Sequence, residues 1–299
     1  MAEAPNVTRI GRATAPRSGP RAEQVNVLAV ASGKGGVGKT NVSVNLALAM
    51  AQRGREVLLL DADLGLANVD VLLGLHPRFN LSHVLIGDCS LEEVLIRAAP
   101  GLRVIPAASG IQRMADLSQR EHAGIIHSFG QLAFTVDTMI VDMAAGISEM
   151  VITFTRACQE VIVVVCDEPA SITDAYALIK VLSQDSRQTR FHVLANMTRS
   201  VADGRELFAR LAKVTTRFLD VTLDYLGTIP YDEYLRRAVQ KQKAVVEAYP
   251  SSRAAYAFRK LAVDADRWSA GTDGAGGLQF FLERLVRPQP VSTETRWRS

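Results

Sequence analysis

The chain has 299 residues, 48% of them hydrophobic and 22% charged, with a formal net charge of +3. That composition excludes a disordered or fibrous protein and leaves length for one large α/β domain with tails. The small basic excess is spread along the chain and carries no argument for nucleic-acid binding, and three cysteines without a CxxC pair build no disulfide framework.

Residues 1–24 hold Pro5, Pro16, Pro20, Gly11, Gly19 and four arginines against Glu3 and Glu23, the composition of a flexible basic tail. No continuous apolar stretch there makes a secretory leader, and no run reaches the ~20 apolar residues of a membrane span, so a cytoplasmic protein is expected. From Val25 to Asp266 short β-branched runs alternate with longer amphipathic stretches, the pattern of βα units around a mostly parallel sheet. The expected fold class is α/β, a doubly wound sheet. Strands are read at 25–31, 56–61, 102–106, 138–142, 161–166, 191–196 and 224–229. Several are apolar throughout, as strands buried on both faces must be.

The first strand leads into Gly33-Lys34-Gly35-Gly36-Val37-Gly38-Lys39-Thr40, followed by Asn41. This satisfies G-x-x-x-x-G-K-[ST] between a strand and a helix starting near Lys39. The glycines let successive backbone N–H groups face phosphate oxygens, and the helix N-terminus adds its positive end. Lys39 is expected to reach the β- and γ-phosphates of ATP, and Thr40 to offer its hydroxyl to Mg2+. Lys34 is a second lysine that an ordinary loop of this kind does not need; taken alone, it could be a solvated cation.

The second strand ends in Asp61-Ala62-Asp63, placing acids at the carboxyl edge of the sheet, where ligands bind in open α/β folds. Asp63 suits metal or water handling, with a turn or capping role as the alternative. Met139-Ile140-Val141-Asp142 has the apolar-strand-then-Asp form of a Walker B acid, and Gly146 behind it gives a loop freedom to move toward the γ-phosphate. Asn196 closes the sixth predicted strand with an amide suited to an adenine edge, or to a routine turn, and Pro230-Tyr231-Asp232 follows the seventh.

The domain is expected to span 25–266, followed by a Gly-rich linker over 267–277, an amphipathic helix over 278–287 and a flexible tail over 288–299. Leu278, Phe281, Leu282 and Leu285 recur at i, i+3, i+4 and i+7, and Pro288 stops the helix. Phe plus Arg composition favours insertion into an anionic membrane interface; folding back onto the same chain is the alternative.

The lysine after the first glycine, with these acids and loops, resembles the ParA/MinD family of deviant Walker A ATPases over about Val25 to Val246. The resemblance implies a P-loop NTPase of the SIMIBI, MinD-like class that hydrolyses ATP to ADP with Mg2+. It implies a homodimer sandwiching ATP, in which Lys34 reaches the partner's phosphates, so that Lys34, Lys39 and Asp63 form the catalytic set. Leu58 to Gly74 is similar to the family's switch I, where the second acid, here Asp63, orients the attacking water and Asp61 supports it. Thr40, Asp61 and Asp142 make the metal set; the nucleotide set runs from Gly33 to Asn41 and adds Gly146 in switch II, Asn196, Pro230, Tyr231 and Asp232.

Within the family, 61–70 is similar to the FlhG (FleN) and MinD branches, and 145–148 and 168–180 are similar to the FlhG branch. This implies a switch on flagellar number or placement, reversibly attached to the inner face of the cytoplasmic membrane through 278–287. Its implied partners are the FlhF GTPase, a flagellar transcription regulator and C-ring components. The branch's FlhF-activating motif has only a loose counterpart in Ala22-Glu23-Gln24. A MinD-like division-site regulator and a ParA-like DNA- or cargo-positioning ATPase are the alternatives. Without a visible helix-turn-helix, sequence-specific DNA reading is not expected.

Overall fold

The computed structural model describes residues 25–63, 68–107, 128, 129, 132, 134–185, 188–268 and 278–286. The two expected tails, the glycines of the linker and Ala22-Glu23-Gln24 lie outside the described residues. The described strands form one eight-stranded sheet: β1 (Asn26–Ser32), β2 (Val57–Ala62), β3 (Ile96–Ala99), β4 (Leu102–Ile105), β5 (Thr138–Ala145), β6 (Glu160–Cys166), β7 (Arg190–Thr198) and β8 (Thr222–Pro230). Their order is β3-β4-β2-β5-β1-β6-β7-β8, and every neighbouring pair is parallel except β3 with β4.

Successive side chains of a strand point to opposite faces, and here both faces are covered. Along β1, Val27, Ala29 and Ala31 enter one core while Leu28 and Val30 enter the other. The helix after the phosphate loop, α1 (Lys39–Ala51), is buried at 11 of its 13 positions, which explains the unbroken apolar run at its C-terminal end, Leu46 to Ala51. It lies between the sheet and the last helix of the main body.

The remaining helices are α2 (Val69–Leu73), α3 (Leu81–Leu85), α4 (Leu91–Val94), α5 (Glu149–Ala157), α6 (Pro169–Asp185), α7 (Val201–Phe218), α8 (Glu233–Gln240), α9 (Val245–Ala248), α10 (Arg253–Asp266) and α11 (Leu278–Val286). None of the described helices is long and apolar enough to cross a membrane. Two boundaries differ from expectation. β3 is an additional strand, turned back antiparallel on β4 at Gly101, whose φ of 75° suits glycine. Arg267 and Trp268 belong to the folded body rather than a linker, Trp268 stacking on His192 at 3.9 Å.

The C-terminal helix adopts, in this conformation, the alternative in which it folds back onto the same chain. Its apolar stripe does not stand free for a membrane: Leu278, Phe281, Leu282 and Leu285 are buried in the core on the α5 side of the sheet. Phe281 meets Phe154 of α5 with ring centroids 6.3 Å apart. Glu283 and Arg284 are exposed. An amphipathic stripe is satisfied equally by lipid or by an apolar protein groove, and α5 supplies the groove.

Candidate nucleotide-binding site

The β1–α1 junction forms the cradle. Gly36 and Gly38 have φ of 80° and 89°, the left-handed region that turns consecutive N–H groups toward one concavity. The chain packs tightly around it: a Cβ on Gly33 would lie 2.1 Å from the Asp174 carbonyl oxygen, and one on Gly38 would lie 2.5 Å from Asn196 Nδ2. Beside the loop opens a cleft of about 460 Å3, whose lining includes Gly35, Lys39, Thr40, Asn41, Asp63 and Asn68.

The sheet register sets Asp61 directly beside Asp142, at the carboxyl edge near the loop. Asp142 accepts a hydrogen bond from Ser43 Oγ at 2.8 Å and another from Thr40, with the Lys39 charge nearby, yet burial still pushes its carboxyl up to about 6. Asp61 accepts from the backbone N–H groups of Asp63 at 3.0 Å and of Asn68 and Val69 at 3.2 Å. Burial, then the neighbouring Asp142, pushes Asp61 up to about 7. Asp61 is therefore the anchor of the loop carrying Asp63, while Thr40, Ser43 and Asp142 form one hydroxyl–carboxylate cluster. A cation beside that cluster would find the oxygen donors Mg2+ prefers, and its charge would offset the desolvation of both acids.

The adenine-side residues divide. Asn196 Nδ2 donates to the Val37 carbonyl at 2.8 Å, bracing the phosphate loop, which leaves Asn196 Oδ1 buried without a partner among the described residues, as is Asn41 Oδ1. Two orphaned buried acceptors beside the cleft fit a ligand with N–H donors, such as an adenine amino group. Asp232 is engaged instead in the scaffold: one carboxylate oxygen accepts from Tyr234 N at 2.9 Å and the other from Ala254 N at 2.9 Å, capping α8 and α10. Tyr231 is exposed, and Pro230 lines a different groove.

Gly146, with φ of 94°, donates its N–H to the Ser32 carbonyl at 2.9 Å. In this conformation that donor is taken, and contact with a γ-phosphate requires the bond to open. Lys34 points away from the cradle, its ammonium held by the Glu168 carboxylate, which raises its affinity for the proton.

Ser43, Gln242 and Glu168 were not singled out as site residues in the sequence. A serine between Val42 and Val44, one helical turn after Lys39, is the signal available for Ser43. Gln242, at φ 52°, lines the cleft and donates to the Val71 carbonyl at 3.1 Å, tying α2 to the segment after α8. No local pattern announces it.

Residues 28–245 match the model of the CobQ/CobB/MinD/ParA nucleotide binding domain. The chain is 59% identical over 263 residues to the antiactivator FleN of Pseudomonas aeruginosa, covering 88% of this chain and 94% of that one. It is 33% identical over 264 residues to the flagellum site-determining protein YlxH of Helicobacter pylori, covering 87% and 89%. Among solved structures it is similar to the septum site-determining protein MinD of Pyrococcus horikoshii in complex with Mg-ADP, with 26% identity, a TM-score of 0.62, and 83% and 98% of the two chains covered. The MinC:MinD complex of Aquifex aeolicus gives 25% identity and a TM-score of 0.63 over 85% and 99%.

Proposed function

The chain belongs to the CobQ/CobB/MinD/ParA family of nucleotide-binding domains, and from that premise we propose that it is an ATP-hydrolysing switch that sets flagellar number or placement. The observation that carries this reading is the Thr40–Ser43–Asp142 cluster at the foot of a glycine cradle, with Asp63 facing the same cleft. The flagellum site-determining relative supports the process, and the antiactivator FleN carries the name of the branch whose 145–148 and 168–180 segments this chain resembles.

The chemistry asked of the residues is charge placement more than bond making. Backbone N–H groups from Gly35 to Thr40 hold the phosphates, and Lys39 balances charge as the β–γ bridge breaks. Thr40 and Asp142 would hold Mg2+, directly or through water, with Ser43 fixing the Asp142 carboxylate; bound there, the ion would supply Lewis-acid charge to the phosphate oxygens. Asp63, positioned by the three N–H bonds that Asp61 accepts, orients the water that attacks.

The conformation described is the resting protomer. Exposed Val71, Ile147 and Met197 lie in segments beside the cleft and suit coverage by a second copy, with Lys34 released from Glu168 to complete that copy's site. Ser148 caps α5 by accepting from Val151 N, two residues beyond Gly146. A shift of Gly146 toward the γ-phosphate therefore moves the helix on which α11 rests. Undocking α11 exposes four apolar residues, each worth roughly 1.5–3 kcal/mol when buried, and a membrane interface offers them replacement burial. Two copies in a dimer bind such a surface by avidity. Flagellar regulators and assembly proteins are the expected partners.

One experiment tests the switch. Wild type and Asp63→Ala, each with ADP or ATP, are followed by size-exclusion chromatography, phosphate release and sedimentation with anionic liposomes. ATP should produce a dimer in both, with liposome binding, and Asp63→Ala should accumulate it without turnover. Turnover unchanged in Asp63→Ala would remove the proposed role. Binding to duplex DNA in place of liposomes would move the reading to the DNA-positioning branch.

A further inference from the structure

β8 ends the sheet, and its outer edge is not paired with another strand among the described residues. Along that edge runs a groove of about 580 Å3 whose floor includes Tyr225, Leu226, Gly227 and Thr228 in unbroken succession. The pairing with β7 steps from Tyr225 to Gly227, leaving Leu226 bulged beside a glycine at φ 151°; the bulge breaks the strand's alternation, and the groove runs along the outer edge there, between the elements on either face of the sheet. Its walls are α7 on one face of the sheet and α10 on the other. Gly204 allows the close wall: a Cβ there would lie 1.9 Å from Thr228 Oγ1.

The walls carry one sign of charge. Arg199 and Arg205 stand on the α7 side, Arg253 and Lys260 on the α10 side, all exposed. No carboxylate lines the groove among the described residues, and none of the four cations is in an ion pair among them. Among the described residues, the Arg253 guanidinium donates only to the Tyr231 carbonyl, at 3.4 Å. Ser200 and Ser252, the N-caps of α7 and α10, also line it, so the positive ends of two helices face the same space. None of these groups belongs to the nucleotide cleft.

We propose that the β8 edge is a docking site for an extended acidic peptide of a partner protein, which adds a strand to the sheet while its carboxylates meet Arg199, Arg205, Arg253 and Lys260. Unpaired strand N–H and C=O groups are answered by another extended backbone, and the flanking cations select the charge of its side chains. Val201, Tyr256 and Leu261 give the alternate side chains apolar contact. The two terminal segments of this chain have the wrong charge for the occupant: residues 1–24 carry four arginines against two glutamates, and 287–299 three arginines against Glu294. A second copy pairing edge to edge would oppose two sets of cations. A DNA duplex is too broad to reach a strand edge at the floor of a groove between two helices.

The test uses the full chain without nucleotide, so it is independent of the switch. A fluorescein-labelled peptide of about eight residues alternating glutamate with valine is titrated by anisotropy, beside its lysine–valine counterpart and a labelled duplex DNA. The acidic peptide should bind saturably, weaken with salt, and slow amide exchange in 225–229. Arg205→Glu/Lys260→Glu should weaken it about tenfold or more, with melting and ATP turnover unchanged. Equal binding of the lysine peptide, unaltered exchange along β8, or DNA as the only ligand lost on charge reversal would each overturn the proposal.

Discussion

The ammonium of Lys34 is held by the carboxylate of Glu168 within the same protomer, 134 residues away in sequence. The lysine that would serve a second copy is thus stowed at the start of α6, outside its own cradle. The pair is solvent-exposed, with side-chain exposures of 38% and 56%, so it is a weak latch screened by salt. Glu168→Gln should tighten ATP-dependent dimerisation by a factor of a few at low ionic strength, and the difference should vanish in high salt. Lys34→Ala should lower ATP turnover by about a hundredfold or more, the scale for losing one charged donor at a developing negative charge. Sedimentation equilibrium and phosphate release read the two effects separately; a Glu168→Gln variant with weaker dimerisation would reject the latch.

Asp61 and Asp142 bind protons more tightly in the folded chain than in the unfolded one, because burial pushes them up to about 7 and about 6. The stability they contribute is complete below about pH 4, where both states are protonated, and is lost as pH rises through their folded values. Nucleotide-free protein in chelator should therefore show urea midpoints that fall from about pH 4.5 to 7.5. Asp61→Asn, which does not ionise, should flatten that slope, and saturating magnesium with ADP should flatten it in wild type. A slope indifferent to Asp61→Asn would assign the pH dependence elsewhere.

Much of this site could be read before the fold was known because its chemistry constrains residue type at fixed spacing. Gly33, Gly38, Lys39 and Thr40 are needed together in any phosphate cradle of this form, and β1, β5 and β6 are apolar because both faces are covered. β3 escaped because Ile96–Ala99 is only four residues long with a single β-branched side chain, too short for a periodic signal; its strand state comes from pairing with β4. The resting place of α11 was left open between two readings for a different reason. The Leu278, Phe281, Leu282, Leu285 stripe specifies an apolar partner without saying whether it is lipid or α5. Asp232 was read from its neighbourhood with the base, whereas its two oxygens are spent on Tyr234 and Ala254. Such long-range hydrogen bonds have no local pattern.

The phosphate loop is braced from outside by Asn196, and that brace gives a graded test. Asn196→Ala removes the bond to the Val37 carbonyl, a buried contact whose loss costs about 1–3 kcal/mol with its acceptor left unpaired. ADP affinity should fall about tenfold, with the melting temperature lowered by a few degrees. Gly38→Ala should be more severe, because it combines a φ of 89° with a Cβ 2.5 Å from Asn196 Nδ2. Calorimetric titration with ADP measures both. If Gly38→Ala bound nucleotide as tightly as Asn196→Ala, the close approach of loop and amide would not be limiting.

Phe154 and Phe281 face each other across the α5–α11 contact, which makes docking and membrane attachment separable by mutating one side at a time. Phe154→Ala removes the dock while leaving the apolar face of α11 complete. The variant should bind anionic liposomes without ATP, and amide exchange in 278–286 should accelerate while exchange in β1 and β5 is little changed. Phe281→Ala loosens the same contact and also strips the Leu278, Phe281, Leu282, Leu285 stripe of its one aromatic ring. It should show the same faster exchange but weaker liposome binding than wild type, even with ATP. Truncating a buried Phe costs about 3–5 kcal/mol in a well-packed core, enough to shift a short docked helix toward its free state. Were Phe154→Ala to leave liposome binding strictly dependent on ATP, α5 would not be what restrains the helix, and the route from Gly146 through Ser148 to α11 would have no output.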